Sequence, residues 1–186
     1  AIAIYGKTIK LVPNFAEAHN ILGVALCEYN QNEEAITYHN KAIELRPDYA
    51  EAYFNLGIAL HALGKHEEAI DSFKKAIEQK HHYPEAYNNL AITLSFYKAS
   101  EFSEIHAKDY LDIINFGGII GPNSLIDSII TLLRHHESVK VALDKSAKHT
   151  LNSSVAELCI RLSKIPLFVK IMEVIPIPDF EIEQLL

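Results

Sequence analysis

The chain has 186 residues, 49% of them hydrophobic, and a formal net charge of −7, which suits one domain or one repeat array with an appendage and leaves enough apolar side chains for a core. The charge is uneven: residues 1–115 carry 10 Lys and Arg against 16 Asp and Glu, whereas residues 116–186 carry 7 against 8. This excludes the basic surface that nucleic acid or an anionic membrane requires, and 2 cysteines, Cys27 and Cys159, form no disulfide framework, so a reducing compartment, the cytoplasm, is expected. No apolar stretch reaches the roughly 18 to 20 residues of a membrane span, and Ala1 to Leu11 lacks the basic leader and sustained apolar core of a signal peptide.

Taken in chain order, the first segment is already one of a series. Ala1, Ile2, Tyr5, Ile9, Leu11 and Pro13 return as Ala35, Ile36, His39, Ile43, Leu45 and Pro47, a step of 34 residues. The same step superposes Gly23 on Gly57, Ala35 on Ala69 and Ala42 on Ala76. It also aligns Ala18, Ala52 and Ala86, then Leu22, Leu56 and Leu90, then Glu17, Glu51 and Glu85. Internal periodicity of this length marks stacked helical units. Within one unit, Ala50 to Leu63 and Glu67 to Gln79 carry apolar residues three and four apart and are expected to form antiparallel helices, with Gly64 as the turn residue. Gly57 and Ala69 are expected to face each other where these helices cross, and Ala76 to sit where the next unit docks. Pro47 ends the preceding helix after Leu45.

Two departures carry expectations of their own. His39 stands in the place of Phe73 and predicts a looser contact between helices, and His81 stands in the place of Pro47 and predicts a less sharply defined helix end. The third unit diverges, because Ala91 replaces the glycine, yet Phe102, Ile105, Tyr110 and Ile113 still form an apolar stripe. After Asn115 the period disappears, and Gly117, Gly118, Gly121 and Pro122 mark a boundary. Helices are expected from Asn123 or Ser124 to about His136, from Ser138 to about His149 and from Ser153 or Ser154 to near Ser163. A fourth opens at Pro166, and Phe180 to Leu186 reads as a last helix that the chain end truncates.

The pattern resembles the tetratricopeptide repeat, whose signature places are occupied by Tyr53, Leu56, Gly57, Leu60, Ala69, Phe73 and Ala76. The resemblance covers roughly residues 1–97, and up to 115 with the divergent unit. It implies an all-α fold, a right-handed superhelix of stacked hairpins followed by a helical C-terminal segment. Its parts would be a partial repeat 1–15, full repeats 16–49 and 50–83, a divergent repeat 84–115 and a helical segment 116–186. The start inside a repeat leads us to expect a fragment of a longer protein. Lys164 to Leu186, with Pro176-Ile177-Pro178-Asp179, loosely resembles the helical spacer of bacterial repeat proteins that carry a methyltransferase or sulfotransferase module. No glycine-rich cofactor turn accompanies it.

The family resemblance implies that the first helix of each repeat lines a concave face. Here that face would carry Asn20, Ile21 and Val24, then Phe54, Asn55 and Ile58, then Asn88, Asn89 and Ile92. Asparagine amides both donate and accept, which suits them to the backbone of an extended peptide. Asn55 and Asn89 look like part of the asparagine ladder of protein O-linked N-acetylglucosamine transferases, which Ile21 interrupts. The lysines and arginines of a clamp for terminal carboxylates are missing from this face. Glu17, Glu51 and Glu85 repeat at its edge instead, where they also complement the helix dipoles.

Ten histidines raise the question of a metal, but the pairs His81-His82 and His135-His136 point to different sides of a helix, and no spacing supplies a third ligand. Cys27, His61 and Ser95 share one place in the repeat without forming a catalytic arrangement. The sequence therefore predicts a protein-interaction module that holds a peptide or partner protein, not an enzyme, with neither metal nor cofactor. The alternative is the substrate-recruiting N-terminal part of a larger methyl-, sulfo- or glycosyltransferase. Self-association through the open repeat end is a third expectation.

Overall fold

In the computed structural model the described residues are 2–96 and 104–116, with Ile129, Leu132, 164–166, 169 and 170. Seven helices lie among them and no strand: α1 (Ile2–Leu11), α2 (Ala16–Glu28), α3 (Asn32–Leu45), α4 (Ala50–Ala62), α5 (His66–Gln79), α6 (Pro84–Phe96) and α7 (Glu104–Phe116). The chain divides into two compact units, 1–97 and 98–186. The third hairpin expected at 84–115 thus has its first helix, α6, in one unit and α7 in the other. In α7, Ala107, Tyr110 and Ile113 are buried. The helices expected between 123 and 163, the last helix from Phe180 and the spacer-like stretch from Lys164 lie wholly or mostly outside the described residues.

The first unit is built from one turn chemistry used twice. Asn30 and Gly64, a repeat apart, are the residues with positive φ among the described residues, at 60° and 74°. At each turn two backbone bonds close the helix end. Asn30 N–H donates to Cys27 and Gln31 N–H to Leu26, and one repeat later Gly64 N–H donates to His61 and Lys65 N–H to Leu60. A residue in the left-handed region satisfies the last carbonyls and reverses the chain, so α2 folds back against α3 and α4 against α5. Hairpins then stack through α3 on α4 and α5 on α6.

Small residues sit at the tightest approaches. Ala35, Ala42, Ala69 and Ala76 are all 0% exposed. Ala76 forms one apolar cluster with Ala50, Tyr83 and Ala86, which joins α5 to α6. The crossing within each hairpin also admits a ring. A Cβ built on Gly57 would meet the Phe73 ring at 2.6 Å, and one on Gly23 would meet the His39 ring, also at 2.6 Å. The missing side chain therefore makes room for a ring from the opposite helix, Phe73 at Gly57 and His39 at Gly23. His39 does not loosen the contact, since it packs as closely as Phe73 and is itself 0% exposed.

His81 does not blur its helix end. The second helices stop at Leu45 and at Gln79, one repeat apart, and both close on one bond, Arg46 N–H to the Ala42 carbonyl and Lys80 N–H to the Ala76 carbonyl. Proline reinforces this stop at 47, but the cap alone makes it at 80.

Candidate functional site

The first helices α2, α4 and α6 present equivalent residues one repeat apart. Along one row, Val24 is half-buried while Ile58 and Ile92 are 37% and 50% exposed. Beside it run Ile21, also exposed, and the half-buried Asn55 and Asn89. An apolar row flanked by amides, repeated along stacked helices, offers a strip that would contact alternate side chains and backbone groups of an extended peptide.

Not every expected groove residue belongs to this strip. Asn20 is 5% exposed and points inward. Its Oδ1 accepts from His39 Nδ1 at 2.9 Å and from Asn55 Nδ2 at 3.1 Å, and its Nδ2 donates to the Tyr49 hydroxyl at 3.3 Å. That fixes His39 as the Nδ1–H tautomer, and burial lowers its pKa to about 4, so the ring is neutral at pH 7. Its Nε2 is a buried acceptor with no partner. One repeat later the same two places hold Phe54 and Phe73, with ring centroids 5.9 Å apart, and Phe54 also packs on Tyr83 at 5.0 Å. A hydrogen-bonded polar pair in one hairpin is thus exchanged for an aromatic pair in the next. The joint change at 20/54 and 39/73 was the signal in the sequence that these places face each other.

The remaining groove residues divide similarly. Asn89 Nδ2 donates to the Glu85 carbonyl at 2.9 Å, and Asn88 is half-buried. Thr93 donates to the Asn89 carbonyl at 2.7 Å and contacts His61 Nδ1 at 3.0 Å. Since the hydroxyl proton of Thr93 is committed, His61 Nδ1 donates to it. The His61 ring lies 5.2 Å from His66 and 5.4 Å from Phe96, centroid to centroid. Its pKa is lowered by burial and then by repulsion from His66. Burial pushes the Cys27 thiol up, which disfavours the thiolate that a nucleophile requires.

The acidic edge is partly neutralised. Glu17 accepts from Arg46 at 2.7 Å, and Arg46 lies 3.6 Å over the Tyr49 ring. One repeat on, Lys80 is 3.8 Å from Glu51 and 4.4 Å over the Tyr83 ring. Tyr83 is pushed up to about 12, by burial first and then by Glu51, Glu85 and Tyr49. Each cation thus clips the end of a second helix to the start of the first helices on both sides. Of the three repeated glutamates, Glu85 has no ion pair among the described residues.

Comparison with known proteins agrees with this architecture. Residues 23–64 match the family model described as TPR repeat, and residues 50–83 match that of the tetratricopeptide repeat. Residues 23–83 are thus tetratricopeptide repeats, and the described residues have an all-α helical repeat fold. No curated protein matches it. Among solved structures it is similar to MamA, at 23% identity over 88% of this chain and 85% of that one, with a TM-score of 0.52. It is similar to YrrB, a TPR protein with an unusual peptide-binding site, at 17% identity over 85% and 74%, with a TM-score of 0.52. A mutant O-GlcNAc transferase from Thermobaculum terrenum shares 25% identity over 61% of this chain, with a TM-score of 0.53, and the matched part is 22% of that protein. No described helix is long and apolar enough to cross a membrane.

Proposed function

We propose that this chain is a protein-interaction module that holds an extended peptide, or a peptide segment of a partner protein, along the first-helix row of Val24, Asn55, Ile58, Asn89 and Ile92. The observation that carries the reading is the exposure of Ile58 and Ile92, 37% and 50%, at equivalent places on adjacent helices. Branched aliphatics recurring at one partly exposed place leave apolar area available to a partner. Asn20 and Phe54 support this row from below and do not touch the ligand, and Asn88 flanks it. The test is selection of binders from a displayed random-peptide library, followed by titration of the selected peptides against Ile58→Glu/Ile92→Glu. Loss of at least about tenfold in affinity, with helical content unchanged, supports the row. Selected peptides that bind the variant equally well would remove it.

A second reading, the substrate-recruiting part of a larger transferase, is favoured by the likeness to the O-GlcNAc transferase, of which this chain matches about a fifth. A catalytic domain encoded downstream of Leu186 in the same reading frame would support it. A stop codon there would remove it.

A further inference from the structure

The second helices form a groove of a different kind. Between α3 and α5, over α4, lies a cavity of about 310 Å³. Its floor is Tyr53, Leu56 and Leu60, and Ile36 and Ile43 wall it on the α3 side. The preceding groove, between α1 and α3 over α2, uses the same residue places: Ile2 and Ile9 for Ile36 and Ile43, and Leu22 and Leu26 for Leu56 and Leu60. There the side chain of Tyr38 packs into the apolar cluster with Ile2, Ile9, Leu22 and Leu26, its ring centroid 6.1 Å from that of His19. In the second groove Ser72 occupies the place of Tyr38. Its hydroxyl turns back to donate to the Glu68 carbonyl at 2.8 Å. The cavity is the room that an aromatic ring fills one repeat earlier, and it lies at the small end of the roughly 300 to 1,000 Å³ range of ligand pockets, which suits one large side chain.

The rim adds charge. Glu68 and Asp71 are exposed beside the cavity and have no ion-pair partner among the described residues. Lys75, one turn beyond Asp71, stands 5.8 Å over the Tyr53 ring. Asn40 holds the place of Gly6 and brings an exposed amide to the same rim. We propose that this cavity receives an aromatic side chain of a partner peptide while an adjacent Lys or Arg of that peptide lies against Glu68 and Asp71. The aromatic ring makes the contacts that Tyr38 makes in the first groove, the amide meets a phenolic hydroxyl, and the two carboxylates select a cationic neighbour. This site shares no lining residue with the first-helix row, so it stands or falls separately from the proposed peptide groove.

The test is an NMR titration of the full chain with acetyl-Tyr-Arg-amide, with acetyl-Ala-Arg-amide and acetyl-Tyr-Glu-amide as comparators. The expected result is saturable shifts of the Tyr53 and Ser72 amides, with affinity at least about tenfold weaker for the alanine peptide and reduced for the glutamate peptide. Ser72→Tyr supplies the ring from the chain itself and abolishes the shifts. Asp71→Lys, on an exposed helical position, weakens binding about threefold or more and decides the matter if Ser72→Tyr fails to fold. Ile58→Glu/Ile92→Glu leaves the titration unchanged. Absence of saturable shifts, equal binding of the alanine peptide, or indifference to Asp71→Lys overturns the proposal. So does a concentration-dependent shift of the same amides in the chain alone, which would put a second copy there.

Discussion

Exchanging Asn20 and His39 for the phenylalanines that stand one repeat later tests how the hairpins are held. Burial lowers the pKa of His39 from 6.5 to about 4, so the native chain refuses a proton that the unfolded chain accepts. The stability this ring allows is therefore complete above about pH 6.5 and falls as pH drops toward 4. At about 1.4 kcal/mol per pH unit the loss is about 2.5 kcal/mol by pH 4.5 and about 3 kcal/mol by pH 4. His39→Phe removes the ring nitrogens and with them this slope. At pH 7 the same substitution forfeits the bond to Asn20, about 1 kcal/mol, but also removes the unpartnered Nε2, whose burial costs about 1 to 3 kcal/mol, so the variant should be as stable as the parent or more so. Asn20→Phe alone strands both ring nitrogens and should destabilise by about 1 to 3 kcal/mol. The double variant transplants the Phe54–Phe73 pair, and the cycle should show a favourable coupling of about 1 kcal/mol or more. Denaturant unfolding followed by circular dichroism at pH 7 and pH 4.5 measures each value. If parent and His39→Phe lose stability in parallel between these pH values, the argument from the buried neutral ring is refuted.

Further outcomes follow from the same geometry. Gly57→Ala places a methyl 2.6 Å from the fully buried Phe73 ring, and should cost about 1 to 2 kcal/mol in thermal or denaturant unfolding, net of alanine's better helix propensity, with the cost relieved by Phe73→Leu. Asn30→Gly should stabilise by a few tenths of a kcal/mol, and Gly64→Ala should destabilise by about 1 kcal/mol, because both places require positive φ. Arg46→Ala removes a half-exposed ion pair with Glu17 and the stacking on Tyr49, and should cost at most about 1 kcal/mol, a difference that shrinks in high salt. Ile58→Glu, at a side chain that is 37% exposed, should cost at most about 1 kcal/mol of unfolding free energy, far less than a charge placed at a fully buried core position.

Much of the fold was legible because the constraint repeats. Gly23 and Gly57 are needed where a ring crosses, and Ala42 and Ala76 are fully buried between helices, and a fixed interval between identical small residues announces both. The sequence reading went astray where one place changes identity between repeats. His39 reads as a flaw in the Phe73 position until its partner Asn20 is seen to have changed with it, and period alone does not report such compensation. The candidate face was legible in part for the same reason. The register places Ile58 and Ile92 together, but it cannot separate the half-buried Asn55 and Asn89 from the buried Asn20, since neighbouring places on a helix differ by 100° in direction and not in composition. The cavity beside Ser72 was invisible because it is defined by a ring that is missing, and only the equivalent groove, filled by Tyr38, shows its shape.

The claim that the first helices carry the binding face is tested most directly by isotope-filtered NMR on the chain bound to a library-selected peptide. Intermolecular contacts from the peptide to Ile58 and Ile92, with shifts at the Asn55 and Asn89 side-chain amides, are the predicted result. A peptide whose contacts avoid these four residues would contradict it.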